Sequence, residues 1–266
     1  MAKQKGFIKL KGSLGGLTFY ESNGKNIVKT TGGVDKSRIE NDPNYKRTRE
    51  NMSEFGASAT VGKALRQGLG AIIKNIKDPT ITGRITGLMK QINTLGTGVR
   101  GQRSFEILKN KIILEGFQFN KKKPLSSVFY PEYAPPTLDA NRSIATWIVP
   151  DFNTNNYLRA PEGATHFKII LVTTVLSNYQ YEPKAKKFEP SNPTENQTNG
   201  INYSTAIPIG GNVGSNTTLT VDLEFTAPLP ATVGVISAIG ILFYQQINTE
   251  LYELSSGNAM QISVVG

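Results

Sequence analysis

A chain of 266 residues with 38% hydrophobic and 9% aromatic content has the apolar material for a core and room for one large domain or two modest ones, which excludes a wholly disordered protein. With no cysteine and a single histidine, His166, it lacks the residues for disulfides, thiolate or multi-histidine metal sites, iron–sulfur clusters and most acid–base relays, and no cofactor is expected. The formal charge of +10 is uneven: residues 1–130 carry 24 Lys and Arg against 9 Asp and Glu, and residues 131–266 carry 6 against 11.

The first thirty-three residues read as a β unit. Ile8 and Leu10 alternate with Lys9 and Lys11, one apolar and one charged face. Leu17, Phe19 and Tyr20 lead into Asn23-Gly24, and Ile27-Val28 follow; Asn-Gly between two β-prone runs is a strong hairpin signal because both turn residues tolerate positive φ. Gly12, Gly15 and Gly16 mark the preceding turn. Such a hairpin is marginal alone and needs something to lie against.

Residues 42–95 switch to helical period. Asp42-Pro43 is a start signal, and an apolar stripe from Tyr45 to Ile76 follows, with a kink or break expected near Gly56 to Gly62. Asp78-Pro79 repeats the signal before Ile81, Ile85, Leu88, Met89 and Ile92, which makes the segment a helical hairpin. Residues 100–136 are transitional, with Phe117 and Phe119 alternating as in a strand, and the proline-rich stretch 130–136 is the expected domain boundary.

The second half reads as all-β. Strands are expected at 144–149, 167–176, 204–207, 217–225, 233–245, 250–254 and 260–265, with a long solvated loop at 182–200. Seven strands in about 130 residues suit a two-sheet sandwich of immunoglobulin or fibronectin type III character. The expected fold is therefore an α+β module (β-hairpin plus helical hairpin) over 1–130, followed by an all-β sandwich over 137–266. The longest apolar stretch, 231–244, is too short to span a bilayer, and no apolar run follows the lysines of 1–12, so neither membrane insertion nor a signal peptide is expected. Synthesis in the cytoplasm follows from that, and an extracellular or virion-associated final location stays open.

Residues 5–10, 12–20, 32–38, 41–55 (with Tyr45-Lys46-Arg47-Thr48-Arg49-Glu50-Asn51), 101–103 and 114–120 resemble a family of uncharacterised proteins from Bacteroidota. The resemblance covers roughly the first 120 residues, implies a bacterial or bacterial-virus origin, and brings no assigned activity. A β-sandwich after such a module is similar to a related Bacteroidota group.

No motif argues for catalysis. His166 sits at a strand entrance with no partner in sequence, and Asp139, Asp151, Glu162, Asp222 and Glu224 fall in no recognisable arrangement. Asp222 and Glu224 alternate with Leu223 and Phe225, which places them on a solvent face. The glycine turns at 12–16 and 210–214 lack the lysine and the following helix of a phosphate loop.

Self-assembly accounts for more features together. The strand expected at 7–10 offers a backbone edge for addition to a neighbour, and basic and acidic halves on one chain can meet head-to-tail. The expected interface comprises Phe7, Ile8, Leu10, Leu17, Phe19 and Tyr20, with Arg47 and Arg49 for charge pairing. The expected function is a non-enzymatic structural protein forming a filament, tube or virion-like polymer with itself as partner. The alternative is nucleic-acid binding through the basic half, with Lys46, Arg100, Arg103, Lys121, Lys122 and Lys123 as anion contacts. A third reading, an adhesin binding glycans or surfaces through sandwich loops, rests on fold class alone.

Overall fold

The structure, a computed structural model, describes residues 2–76 and 78–266 and divides into two compact units, Met1–Arg49 and Glu50–Gly266. In the first, strands β1 (Ala2–Lys3), β2 (Gly12–Leu14), β3 (Leu17–Ser22) and β4 (Lys25–Thr30) form an antiparallel sheet in the order β1-β4-β3-β2. Asn23 (φ 51°) and Gly24 (φ 70°) make the β3–β4 turn, and Gly15 (φ 56°) and Gly16 (φ 77°) the β2–β3 turn. Two successive positive φ values match the right-handed twist of the flanking strands, so both hairpins follow from the glycine positions. Helix α1 (Lys36–Asn41), which periodicity did not signal, starts where the Asp35 carboxylate accepts from Ser37 N–H at 2.8 Å.

The strand expected at 7–10 does not form. Those residues lie in an irregular loop closed by Gln4, whose side-chain oxygen accepts from Leu10 N–H at 2.9 Å and whose amide donates to Leu10 C=O at 3.2 Å. The amide takes the backbone groups that a strand partner would use.

Helix α2 (Lys46–Gly68) is continuous, without the kink expected near Gly56 to Gly62. A Cβ at Gly62 would lie 3.1 Å from Ile85 Cγ2, so this glycine allows close approach of α4 (Ile81–Leu95). Burial of Val61, Ala64 and Leu65 against Ile85, Met89 and Ile92 outweighs the low glycine propensity. A short α3 (Ile73–Ile76) lies between the two. Asp78 accepts from Thr80 N–H and Oγ1 at 2.7 Å each before α4 begins, as the Asp-Pro signal implied.

The remaining elements are β5 (Thr137–Leu138), β6 (Ile144–Val149), α5 (Thr154–Tyr157), β7 (His166–Ser177), β8 (Tyr179–Glu182), β9 (Lys187–Pro190), β10 (Asn199–Tyr203), β11 (Ile207–Pro208), β12 (Thr217–Asp222), β13 (Val233–Ile247), β14 (Glu250–Glu253) and β15 (Ala259–Val265). A six-stranded antiparallel sheet runs β10-β7-β13-β14, with β11 also paired to β7 and β15 to β13. A three-stranded sheet, β12-β6-β5, faces it, and β8-β9 forms a separate ribbon.

Both faces of the large sheet are covered. Odd-numbered residues of β7 and β13 (Phe167, Ile169, Leu171; Val235, Ile239, Ile241) pack against Ala145, Trp147, Leu219 and Val221 of the small sheet. Even-numbered ones (Ile170, Val172, Leu176; Ile236, Ala238, Leu242) share a core with Val61 and Leu65 of α2 and Ile85 and Met89 of α4. The result is three layers: helices, large sheet, small sheet.

This arrangement displaces the boundary expected at 130–136. Leu125, Val128 and Phe129 belong to the inter-sheet core, and Phe105, Ile107, Phe117 and Phe119 to the helix–sheet core, so residues on both sides of 130 fold as one body. Two further expectations change. Part of the expected loop 182–200 is the β8–β9 hairpin, pinned by Phe188 edge-on to Phe105 at 5.7 Å, and its end is the start of β10. The strand expected at 204–207 is interrupted at Ser204, whose N–H donates to Ile169 C=O and whose hydroxyl accepts from Ile169 N–H at 3.1 Å. Among the described residues no helix is long and apolar enough to cross a membrane.

Candidate assembly interface

The first unit carries the residues expected to drive assembly, and its chemistry is unusual for a folded sheet. None of its described residues is buried. In the sheet Gly12 opposes Phe19, Leu14 opposes Leu17 and Phe19 opposes Val28, so Leu14, Leu17, Phe19 and Val28 share one face. Leu14 is 73% exposed and Leu17 38%, and Phe19 and Val28 are half-buried. Tyr20, opposite Ile27, lies on the other face with Thr18, whose hydroxyl contacts Ser13 and Thr31 at 3.2 and 2.8 Å. That face is polar.

Phe7 (95% exposed), Ile8 and Leu10 project from the Gln4-closed loop. They are exposed, but as a loop and not as a strand edge. The free edges of the sheet are β1 and β2, two and three residues long.

The charged residues divide. Arg49, expected to pair with a neighbouring molecule, donates through Nη1 to Ile39 C=O at 2.7 Å and Asp42 C=O at 2.9 Å, tying the segment after α1 to the first turn of α2. Arg47 and Lys46 lie exposed on that same turn. In the second unit Arg100 reaches Glu50 at 3.8 Å and Asn51 Oδ1 at 2.9 Å. Arg103 is committed inward and is no anion contact: its Nε and Nη2 donate to the two oxygens of Glu54 at 2.8 and 2.7 Å. Lys121, Lys122 and Lys123 are exposed in a different loop.

Glu54 is fully buried. Besides Arg103 it accepts from Gly101 N–H at 2.8 Å and from the Lys90 ammonium. Burial pushes its carboxyl up, but the Arg103, Lys90 and Gly101 hydrogen bonds outweigh that and hold it at about 2. Ser53 Oγ donates to Gly101 C=O at 2.7 Å and Asn93 Nδ2 to Arg103 C=O at 2.6 Å, so the 101–103 turn is fastened to both helices. Gly101 (φ 93°) lies against Glu50, where a Cβ would come within 3.1 Å of Cα. Two of the stretches that carry the family resemblance, 41–55 and 101–103, meet here. The network holds the 101–103 turn to α2 and α4.

Arg142 is a second residue missed by sequence reasoning. Its guanidinium donates to the carbonyls of Val233 (2.7 Å), Pro230 (2.8 Å), Gly266 (3.1 Å) and Leu229, clamping the start of β13 to the end of β15. Asp139 shapes the same turn, accepting from Ser143 and Ile144 N–H at 2.7 Å each. Asp151 accepts from Gly214 N–H at 2.8 Å, and His166 Nδ1 contacts the neighbouring Thr165 hydroxyl at 3.0 Å. These acids and the histidine serve turns and strand ends.

Comparisons with protein-family models, curated proteins and solved structures find no match to this chain.

Proposed function

We propose that this is a non-enzymatic structural protein that assembles with itself through its first unit into a filament, tube or virion-like polymer. One observation carries the reading: a four-stranded sheet with no buried residue presents Leu14, Leu17, Phe19 and Val28 on a single face beside a loop bearing Phe7, Ile8 and Leu10. A sheet of this size needs a covered apolar face for stability. A second copy supplies one, with β1 and β2 as short edges open to strand addition. The basic and acidic halves of the chain favour head-to-tail contact, which propagates.

In this reading the second unit is the displayed body, and its two facing sheets have immunoglobulin or fibronectin type III character with an added helical layer. Trp147, fully buried and edge-on to Tyr133 at 5.3 Å and to Phe129 at 6.2 Å, anchors the inter-sheet core as expected of such a sandwich. The test is negative-stain microscopy of nuclease-treated protein at about 150 mM and 1 M salt. Regular polymers that survive high salt support apolar and strand contacts, and uniform small particles in both conditions overturn the proposal.

A further inference from the structure

A second surface feature lies wholly within the second unit and is independent of the assembly face. A depression of about 390 Å³ is lined by Lys122, Lys123, Val128, Arg159, Pro161 and Gly257 among others. A smaller one, about 170 Å³, adjoins it through the shared residues Lys123 and Gly257 and is bordered by Ser255 and Ser256. We infer that this joined groove binds phosphate groups, with Lys122, Lys123 and Arg159 supplying charge and the Ser255 and Ser256 hydroxyls completing the donor set.

The three cations come from two loops, 121–124 and 158–161, that meet at the groove. Among the described residues none of the three forms an ion pair, and no acidic side chain lines either depression. Two carboxylates bond residues beside the groove: Glu253 accepts from Asn75 Nδ2 at 3.0 Å and Asn258 Nδ2 at 2.9 Å, and Asp78 accepts from Lys121 N–H at 3.2 Å. Three like charges around one concavity raise the local potential and favour an anion. One lining residue fixes the groove's form: Gly257 has φ 93°, and a Cβ there would lie 2.7 Å from Pro161 Cγ, so only glycine keeps the 255–257 turn this close to the 158–161 loop.

The donor set fits phosphate better than carboxylate. A planar carboxylate fills one guanidinium fork and leaves the opposing lysines unmatched. A tetrahedral phosphate offers oxygens toward Arg159 and toward Lys122 and Lys123 at once. No aromatic side chain lines the groove, so stacking on bases plays no part. The phosphate then belongs either to a small phosphorylated molecule or to a nucleic-acid backbone read without regard to sequence.

The test uses nuclease-treated full-length protein, the triple variant K122Q/K123Q/R159Q, and a charge-matched control, K5Q/K25Q/K184Q, whose lysines are exposed elsewhere. Binding of a fluorescein-labelled 20-nucleotide single strand is followed by anisotropy between about 50 and 200 mM salt, and binding of pyrophosphate by calorimetry. Three phosphate contacts on a single strand give a slope of about −2 in log K against log salt, a loss of roughly 20-fold over that range. The triple variant is expected to lower affinity at least tenfold and flatten the slope by about 2, with the control close to wild type. Oligonucleotide binding without pyrophosphate binding assigns the groove to backbone phosphates, and pyrophosphate binding lost in the triple variant assigns it to small phosphorylated ligands. Equal binding by the triple variant and the control overturns the inference, as does polyglutamate of matched length binding as tightly as the oligonucleotide.

Discussion

Removing the Glu54 carboxylate tests the account of how the second unit is held together. In Glu54→Ala the Lys90 and Arg103 side chains, 29% and 21% exposed, lose their shared partner and Gly101 N–H loses its acceptor. Breaking a buried ion pair from one side costs about 3–5 kcal/mol, and the partial exposure of both cations puts this case near 3. For a unit of this size that lowers Tm by roughly 6–12 °C. Glu54→Gln keeps one acceptor and is expected to lose about half as much. The pH dependence gives a second reading of the same group. The Glu54 carboxyl is held at about 2 in the folded protein against 4.5 for a free side chain, so protonation favours the unfolded chain. Its stabilisation is complete above about pH 4.5 and is lost as pH falls toward 2, roughly 3 kcal/mol in all. Asp78 is also held at about 2 and contributes to acid unfolding, so the difference between wild type and Glu54→Gln isolates the Glu54 part. Urea unfolding at several pH values is the assay. A loss below 1 kcal/mol in Glu54→Ala at pH 7, or identical pH profiles for wild type and Glu54→Gln, would refute the reasoning.

Three other substitutions probe the layers. Two glycines of α2 are expected to respond in opposite directions by thermal melting: Gly56→Ala, with open space around its Cβ, gains about 0.5–1 kcal/mol, whereas Gly68→Ala, whose Cβ would sit 2.2 Å from Thr174 Oγ1, loses about 1–3. Stabilisation by both would show that α2 does not press on β7. Arg142→Met orphans four carbonyls at the junction of β13 and β15 and is expected to cost roughly 3 kcal/mol in urea unfolding; a change under 1 would mean that water replaces the guanidinium without loss.

The sequence made much of this fold legible where a local rule decides it. Asn23-Gly24 and Gly15-Gly16 dictate their turns because few other residues accept positive φ, and the Ile85, Met89 and Ile92 stripe finds its buried face by period alone. The alternation of Leu219, Val221 and Leu223 put Asp222 and Glu224 in solvent. What failed depended on distant partners. The continuous apolar runs of β7 and β13 signal burial on both faces, but nothing local says that α2 and α4 provide the second cover. Ile8 and Leu10 alternate like a strand, yet Gln4 captures the Leu10 backbone first. Arg103 looks like a surface cation until the fold brings Glu54, 49 residues earlier, beneath it. The basic groove was half visible: Lys122 and Lys123 stand out as a run, whereas Arg159 and the Ser255-Ser256-Gly257 turn join them only through folding.

The central claim is assembly through the first unit, and sedimentation velocity of wild type beside the double variant Leu14→Glu/Leu17→Glu tests it most directly. Both side chains are exposed within one copy, and because the two glutamates stand opposite each other, circular dichroism of the variant accompanies the run to separate loss of contact from loss of the sheet. Burying each leucine against a neighbour contributes about 2 kcal/mol, and losing both weakens each contact roughly a thousandfold. Large wild-type species over a micromolar concentration series, reduced to a folded 29.0 kDa monomer in the variant, are the predicted result. A wild-type protein that sediments as a monomer throughout, or a variant that assembles as wild type does, would contradict it.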